Sequence, residues 1–332
     1  MGQTRLPAGS VLAILLPVVM AITSCSPAPR GPVEGEGVAW AYPISPPPKT
    51  PPAPPDKVAP LRLEGTSVTF TAAELKDLFA APDWRPTAHP PMPPVVASGR
   101  RPDVMACGFC HLPTGGGRPE NASLAGLPRE YIIEQMRAFR SGARRSSVAG
   151  RLPTTLMEKL GKAATDVEIE AAAAYFSALP YQGLTRVLET TTVPRVRTNG
   201  WVYSRDPAGG REPIGARILE ITEDFERFEK RDPATTYLAY VPMGSVARGA
   251  ELARTWGGGG QACAVCHGAD LRGSGSAPPL AGRSPTYIAR QLNDFRTGAR
   301  HTQTGEAMRS VASSMRDRDI IALAAFLGSR RP

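Results

Sequence analysis

The chain of 332 residues contains few cysteines and few histidines, five and four respectively. Four of the cysteines lie in two short motifs, so no disulfide is expected within the chain. A long apolar segment is also missing, because the run from Val11 to Ile22 is interrupted by Pro17. That run is too short for a membrane span and is typical of an export signal.

The two cysteine motifs are Cys107-Gly108-Phe109-Cys110-His111 and Cys263-Ala264-Val265-Cys266-His267. This C-x-x-C-H pattern is the attachment signature of c-type haem. Two thiols on one helical turn can each bond a vinyl group of one porphyrin, and the next histidine can bind the iron. Zinc requires four ligands in a compact cluster, whereas the two pairs lie 156 residues apart. A thioredoxin-like redox pair requires a βαβ pattern that neither copy has. We therefore expect two covalently bound haem c groups, with iron.

The amino terminus resembles a lipoprotein export signal. Ile22-Thr23-Ser24-Cys25 resembles the bacterial lipobox, which implies that residues 1–25 are a signal peptide and that Cys25 is lipidated. The alternative is an ordinary signal peptide cut nearby. Ser26 favours an outer-membrane anchor in a cell that has that membrane. Residues 26–60 are rich in proline and predict an extended linker, followed by an N-terminal extension over residues 61–100.

The haem motifs mark an internal repeat. At an offset of 156 residues, 15 of the 38 positions from Cys107 to Arg144 are identical, and after a gap the offset becomes 151. We call residues 101–180 the first repeat and residues 245–329 the second repeat. Residues 181–244 form a connector between them.

Helix signals recur within each repeat. Ser284 and Pro285 are typical of a helix start, and Thr165 with Glu168 predicts a capping box. Ser245 to Trp256 predicts a helix in which Gly249 lets another helix approach. The counterpart before the first motif is less clear; the pattern of Thr71 to Phe79 is helical but more distant.

Each repeat resembles a class I cytochrome c domain, and the pair resembles the tandem diheme c-type cytochromes. The order of motifs carries the resemblance: C-x-x-C-H, then Leu-Ala-Gly, then Tyr-Ile with F-R-x-G-A-R, then a methionine before a terminal helix. The implied fold is mainly α, with two tandem domains, a proline-rich tether and an irregular, partly β connector.

The resemblance also implies the iron ligands. His111 and His267 would be the proximal ligands, and Met157 and Met308 the ligands on the opposite face. Each methionine lies nine residues before a matched aspartate. A backbone carbonyl is expected to accept the N–H of each proximal imidazole. The family places a proline there, which Pro278 matches, whereas the first repeat has Ala122.

Other residues of these types are assigned to less specific roles. Met136 and Met315 are interpreted as core, and His89 and His301 as exposed side chains rather than ligands. The arginines of the repeated F-R-x-G-A-R are expected to neutralise haem propionates or a partner, or to be solvated: Arg140, Arg144, Arg296 and Arg300.

The connector contains neither cysteine nor histidine. Thr185 to Val196 and Ala216 to Ile221 are rich in β-branched residues and predict short strands that pair. The charged run from Glu223 to Asp232 is interpreted as a solvated surface.

The net charge of +9 is accompanied by no nucleic-acid-binding motif, which favours an acidic redox protein or a membrane surface as partner. The alternative is that the excess only maintains solubility. The resemblance implies a periplasmic, lipid-anchored electron carrier of a respiratory chain, and no catalytic residue is assigned. Its donor and acceptor would be a dehydrogenase, an oxidase or a small cytochrome. The alternatives are a cytochrome subunit of a periplasmic dehydrogenase, or a diheme peroxidase or oxidoreductase with an open iron position.

Overall fold

Two helical repeats flank a β-sheet in this chain. The computed structural model describes residues 1–3, 37–46, 59–255 and 263–332. Cys25 and most of the predicted linker lie outside these residues. The chain divides into two contact units, Met1–Gly31 and Pro32–Pro332, and all described helices and strands belong to the second unit. None of the described helices is long and apolar enough to cross a membrane.

Residues 37–46 are packed, although the sequence placed them in an extended linker. They form a 3₁₀ turn at Val38–Ala41, and Val38, Ala41 and Tyr42 are buried. The Tyr42 hydroxyl donates to the Asp294 carboxylate at 2.9 Å. This short apolar segment therefore packs against the folded part of the chain through its own side chains.

The N-terminal extension forms a small unit around Trp84, which is fully buried with Leu63 and Leu75. The helix predicted over Thr71 to Phe79 is present only as a 3₁₀ turn at Glu74–Lys76. The Asp77 carboxylate accepts from the backbone N–H of Phe79, which competes with helix continuation. The elements are β1 (Pro60–Arg62), antiparallel to β2 (Thr69–Thr71), and a short helix α1 (Pro94–Ala97).

The first repeat consists of helices around one apolar core that includes Phe176. The predicted capping box is confirmed, because Thr165 Oγ1 accepts from the Glu168 N–H and the Glu168 carboxylate accepts from the Thr165 N–H. The helices are α2 (Cys107–His111), α3 (Arg129–Ser141), α4 (Leu152–Ala163) and α5 (Asp166–Ser177).

The connector is a compact β unit. Its predicted strands exist, but they do not pair with each other: β3 is parallel to β9, and β8 is antiparallel to the other edge of β9. Strand β9 was not predicted from the sequence. The strand order of the main sheet is β3-β9-β8-β6-β5, and β4 pairs with β7. The strands are β3 (Thr185–Thr190), β4 (Thr192–Pro194), β5 (Val196–Asn199), β6 (Val202–Arg205), β7 (Arg211–Pro213), β8 (Leu219–Thr222) and β9 (Tyr237–Pro242).

The interpretation of the charged run as a solvated surface holds for Glu223, Asp224, Glu226 and Glu229, which are exposed, but not for the end of the run. The run forms helix α6 (Phe225–Glu229), in which Phe228 is buried. Asp232 is 1% exposed and forms ion pairs with Arg85 and Arg227. The charges at the end of this run therefore face other protein groups rather than water.

The second repeat packs around its terminal helix. Ser284 caps α9 by accepting from the Tyr287 N–H, as predicted. A Cβ on Gly249 would lie 2.0 Å from the carbonyl oxygen of Ala322, which confirms that this glycine allows a close helix contact. The helices are α7 (Ser245–Thr255), α8 (Cys263–His267), α9 (Pro285–Arg296), α10 (Glu306–Ser313) and α11 (Asp317–Ser329).

Candidate haem sites

The first C-x-x-C-H motif forms the short helix α2 and ends in a buried histidine. The ring Nδ1–H of His111 donates to the carbonyl oxygen of Ala122 at 2.7 Å. This bond leaves Nε2 as the ring nitrogen that can bind a metal. Burial lowers the pKa of His111, which keeps the imidazole neutral and available as a ligand.

The second motif has the same local geometry. It forms α8, and the buried His267 donates from Nδ1–H to the carbonyl oxygen of Pro278 at 2.8 Å. Burial again lowers the pKa of the histidine. The expected carbonyl acceptor is therefore confirmed in both repeats, with proline in one and Ala122 in the other.

A cavity of about 840 Å³, open to solvent, lies against His111 in the first repeat. Met157, on α4, lines the same cavity. The structure thus brings together two residues that the sequence assigned to opposite faces of one haem. Apolar side chains form much of the wall: Leu124, Leu127, Ile132, Met136 and Phe139.

The cavity also carries buried positive charge. Arg151 is 4% exposed, and its Nε has no hydrogen-bond partner among the described residues. Burial lowers the pKa of Arg151 to about 9, so the side chain is still charged at neutral pH. A buried, incompletely bonded guanidinium is stable only beside an anion. Glu120 and Asp294 also line the cavity, and Asp294 already accepts from Tyr42. An apolar wall with cations at one side fits a porphyrin that carries carboxylates.

The remaining methionines and histidines lie elsewhere. Met308, on α10, is half-buried against the core of the second repeat, whereas Met315 is a buried core residue, as expected. His89 does not have the exposed side chain that we expected, because its ring is 3% exposed and hydrogen-bonds to Asp83. His301 is exposed, as expected. Neither of these two histidines lines the cavity at His111.

Comparisons with known proteins show similarity to cytochromes c. The family model of cytochrome c matches residues 246–331. The chain is 27% identical to a thiosulfate dehydrogenase electron acceptor of Stutzerimonas stutzeri over 234 residues, which are 70% of this chain and 82% of that protein. It is 28% identical to cytochrome c4 of Azotobacter vinelandii, over 68% of this chain and 84% of that protein. A solved thiosulfate dehydrogenase (TsdBA) of Marichromatium purpuratum matches with a TM-score of 0.46 and 26% identity, over 70% of this chain and 38% of that one.

The chain folds as two tandem class I cytochrome c domains. It carries two covalently attached haem c groups, one for each C-x-x-C-H motif. The mainly helical fold expected from the sequence is confirmed, and the connector between the two cytochrome domains is a sheet.

The interface between the cytochrome domains is built from repeated residues. Arg144 of the first repeat crosses to the second repeat, where it donates to the Tyr287 hydroxyl at 3.1 Å and to Gln291 Oε1 at 2.9 Å. Tyr287 and Gln291 also line the first cavity, so the second repeat completes the wall of that haem site. The reciprocal contacts join Arg300 to Tyr131 and to Gln135, both at 2.9 Å.

The other two repeated arginines have a structural role within each domain. Arg140 donates to the carbonyls of Gly161 and Ala164, at the end of α4. Arg296 donates to the carbonyl of Met315 and pairs with Asp317 at the start of α11. Only the second arginine of each F-R-x-G-A-R therefore lies at the interface.

The thiols of the first motif are in an apolar setting. Burial raises the pKa of the Cys107 thiol to about 12, and burial also raises the pKa of Cys110 and of Cys263. Cysteines of redox-active C-x-x-C pairs have lowered pKa values instead. These surroundings therefore disfavour a thioredoxin-like pair.

One residue near the first motif was missed by the sequence analysis. The Arg231 guanidinium lies 3.6 Å from the centroid of the Phe109 ring and donates to the Phe109 carbonyl at 2.9 Å. Arg231 is about 120 residues away in sequence and belongs to the charged run of the connector. No local pattern links it to the motif, because the contact depends on how the connector folds back.

Proposed function

We propose that this protein is a periplasmic, membrane-tethered carrier that moves single electrons between redox proteins of a respiratory chain. The observation that carries the proposal is the shared cavity of His111 and Met157. Haem bound there supplies reversible one-electron chemistry of its iron. With His111 and Met157 as its two protein ligands, such a haem would have no open position for a substrate. Met308 and His267 are proposed as the matching pair in the second repeat.

The protein residues hold this coordination in place. The Ala122 carbonyl fixes the tautomer and orientation of the His111 ring, and Phe176 packs edge-on against it with 6.3 Å between ring centroids. A methionine ligand raises the reduction potential relative to a second histidine. A His111 ring held in this way would move little during a change in iron charge, which would favour fast electron transfer.

Electrons are proposed to cross between the two haems at the domain interface. Arg144 donates both to Gln135 of its own repeat and to Gln291 of the other, so one guanidinium joins α3 to α9. Arg300 does the same in the opposite direction. These bonds hold the two haem domains in one relative orientation. A transfer from the donor to one haem and then from that haem to the other depends on such an arrangement.

The cytochrome partner of a periplasmic dehydrogenase is a second candidate. A relative that is 27% identical bears the name thiosulfate dehydrogenase electron acceptor. On that basis a sulfur-compound dehydrogenase is the donor to test first. Reduction of the purified oxidised protein by such a dehydrogenase within the turnover time of that enzyme would support this candidate, and co-purification of a different flavo- or quinoprotein would favour another donor.

The membrane tether rests on the sequence alone, since Cys25 lies outside the described residues. We expect Cys25→Ala to move the protein from the membrane fraction to the soluble periplasmic fraction. An unchanged membrane fraction would instead indicate an ordinary signal peptide and another mode of attachment.

Methionine variants test the carrier function. The oxidised protein is expected to show the weak red absorption band of methionine bound to ferric haem. Met157→Ala and Met308→Ala should each remove part of that band, whereas Met243→Ala, which changes a 62% exposed side chain, should leave it intact. A wild-type haem that is high-spin and reacts with peroxide would contradict the carrier and support the enzyme alternative.

A further inference from the structure

The connector places a guanidinium directly on the first haem-binding turn. Arg231 lies over Phe109, the residue that precedes Cys110, and donates to the Phe109 carbonyl at 2.9 Å. A second bond, at 3.3 Å, reaches the Leu75 carbonyl in the N-terminal extension. The side chain is thus bonded both to the first repeat and to the N-terminal extension, which lies outside it.

The backbone at this position is held in an uncommon conformation. Arg231 has φ of 58°, in the left-handed region that residues other than glycine enter at an energetic cost. On one side the Trp84 Nε1–H donates to the Lys230 carbonyl, and on the other the buried Asp232 pairs with Arg85. Such a conformation persists where the surrounding contacts hold it, and it here directs the arginine towards the motif.

The charge of this arginine is not cancelled by an adjacent carboxylate. Arg118, the next arginine in the region, lies over Phe228 and forms an ion pair with Glu120. In the described part of the chain, Arg231 has no such ion pair, and Glu120 and Glu229 act on it only from beyond ion-pair distance. An arginine in a protein is protonated at any ordinary pH, so Arg231 keeps its positive charge in contact with the first motif.

The second motif lacks this arrangement. The position of Phe109 is taken by Val265, whose side chain is 67% exposed. Among the described residues, no arginine is stacked on this turn. The two haem sites therefore have similar ligand sets but different charges around the attachment turn.

We propose that Arg231 is a positioning residue whose charge raises the reduction potential of the haem attached at Cys107 and Cys110. Reduction lowers the charge of the haem iron by one, so a nearby uncompensated cation favours the reduced state. The inference rests on the proposed carrier function. It assigns to the connector a role in separating the potentials of the two haems.

The test is a potentiometric titration of the full-length protein with both haems bound, followed by absorbance. Arg231→Gln removes the charge, and Arg231→Lys keeps it while losing the planar stack. Arg186→Gln is the matched control, because it removes a connector arginine that is paired with Glu223 at the surface. The same variants are then made in a chain whose second motif is disabled by Cys263→Ser and Cys266→Ser.

In the protein with both haems, we expect Arg231→Gln to lower one of the two reduction potentials and to leave the other unchanged. In the one-haem chain, the same substitution should lower the single reduction potential. Arg231→Lys should keep most of the wild-type value, and Arg186→Gln all of it. The proposal would be overturned if Arg231→Gln left both reduction potentials unchanged or lowered both by the same amount. It would also be overturned if Arg231→Lys lowered the potential as much as Arg231→Gln does. A high-spin first haem would refute the carrier function instead, and it is recognised from the spectra independently of any shift.

Discussion

The two haem-binding turns have the same backbone and the same histidine anchor, but different surroundings. Each is a five-residue helix whose imidazole donates to a carbonyl, at 2.7 Å in the first repeat and 2.8 Å in the second. In the first turn Phe109 is 3% exposed, whereas Val265 at the same place in the second is 67% exposed. The difference is made by the extension and the connector, which lie outside the repeats.

The two turns also differ in the residue that follows the first cysteine. A Cβ on Gly108 would lie 2.9 Å from the Val96 carbonyl oxygen and 2.9 Å from Ala81 Cβ, so the first turn has no room for a side chain there. The second repeat has Ala264 at that position. The attachment turn is therefore covered in the first repeat and exposed to solvent in the second.

Removal of the aromatic side chain behind His111 should have the largest effect. Phe176 is fully buried, so we expect Phe176→Ala to lower the free energy of unfolding by about 3–5 kcal/mol. The counterpart in the second repeat is Leu327→Ala, for which about 2–4 kcal/mol is expected. Denaturant unfolding followed by circular dichroism measures both. A loss below about 1 kcal/mol for Phe176→Ala would show that the core of the first repeat is not packed as described.

Breaking the contacts of the connector should uncover the first turn alone. Asp232→Ala removes a buried carboxylate that forms ion pairs with two arginines and should cost about 2–3 kcal/mol. It should also increase amide exchange at Phe109 without affecting Val265. The control is Asp103→Ala, whose carboxylate is 61% exposed and lies 3.9 Å from Arg100; little change is expected there. Equal exchange changes at both turns would contradict the asymmetry.

The two interface arginines should contribute to stability in a coupled way. Arg144→Ala and Arg300→Ala should each lower the free energy of unfolding by about 1.5–3 kcal/mol, because each removes a buried guanidinium and its hydrogen bonds across the interface, whereas only the double variant leaves the shared glutamine acceptors without a donor. Both arginines share the Gln135 and Gln291 acceptors. The double variant should therefore deviate from additivity by at least about 0.5 kcal/mol. Additive losses would mean that the two arginines act independently.

At alkaline pH we expect a smaller difference in stability between the repeats than the differences above. Burial raises the pKa of Tyr175 to about 12, and the matched position in the second repeat is Phe326, which does not titrate. A tyrosine whose pKa is higher in the folded state contributes stability below its ordinary value of about 10. That contribution is lost as pH rises from about 10 to 12. Tyr175→Phe should reduce the fall in melting temperature over this interval, and an unchanged fall would contradict the assignment.

Local sequence signals predicted the repeated parts of the structure well. The haem motifs, the capping box at Thr165 and the close helix contact at Gly249 depend on residues a few positions apart, or on the match between copies. The register of the methionines predicted Met157 as a ligand, and Met157 lies against the same cavity as His111. These features are encoded within each repeat.

The contacts between distant segments could not be predicted in this way. The burial of Tyr42, the pairing through β9 and the ion pairs of Asp232 all depend on how segments from outside the repeats fold together. Arg231 is the clearest case, because an arginine in a charged run has no feature that predicts a contact with Phe109. The same applies to His89, whose burial depends on its hydrogen bond to Asp83.

The most direct test of the carrier is the electron paramagnetic resonance spectrum of the oxidised full-length protein, with haem quantified by pyridine haemochrome. We predict two haems per chain, both low-spin, with spectra typical of histidine and methionine ligation. A high-spin signal from either haem, or a bis-histidine spectrum, would contradict the proposed ligand sets.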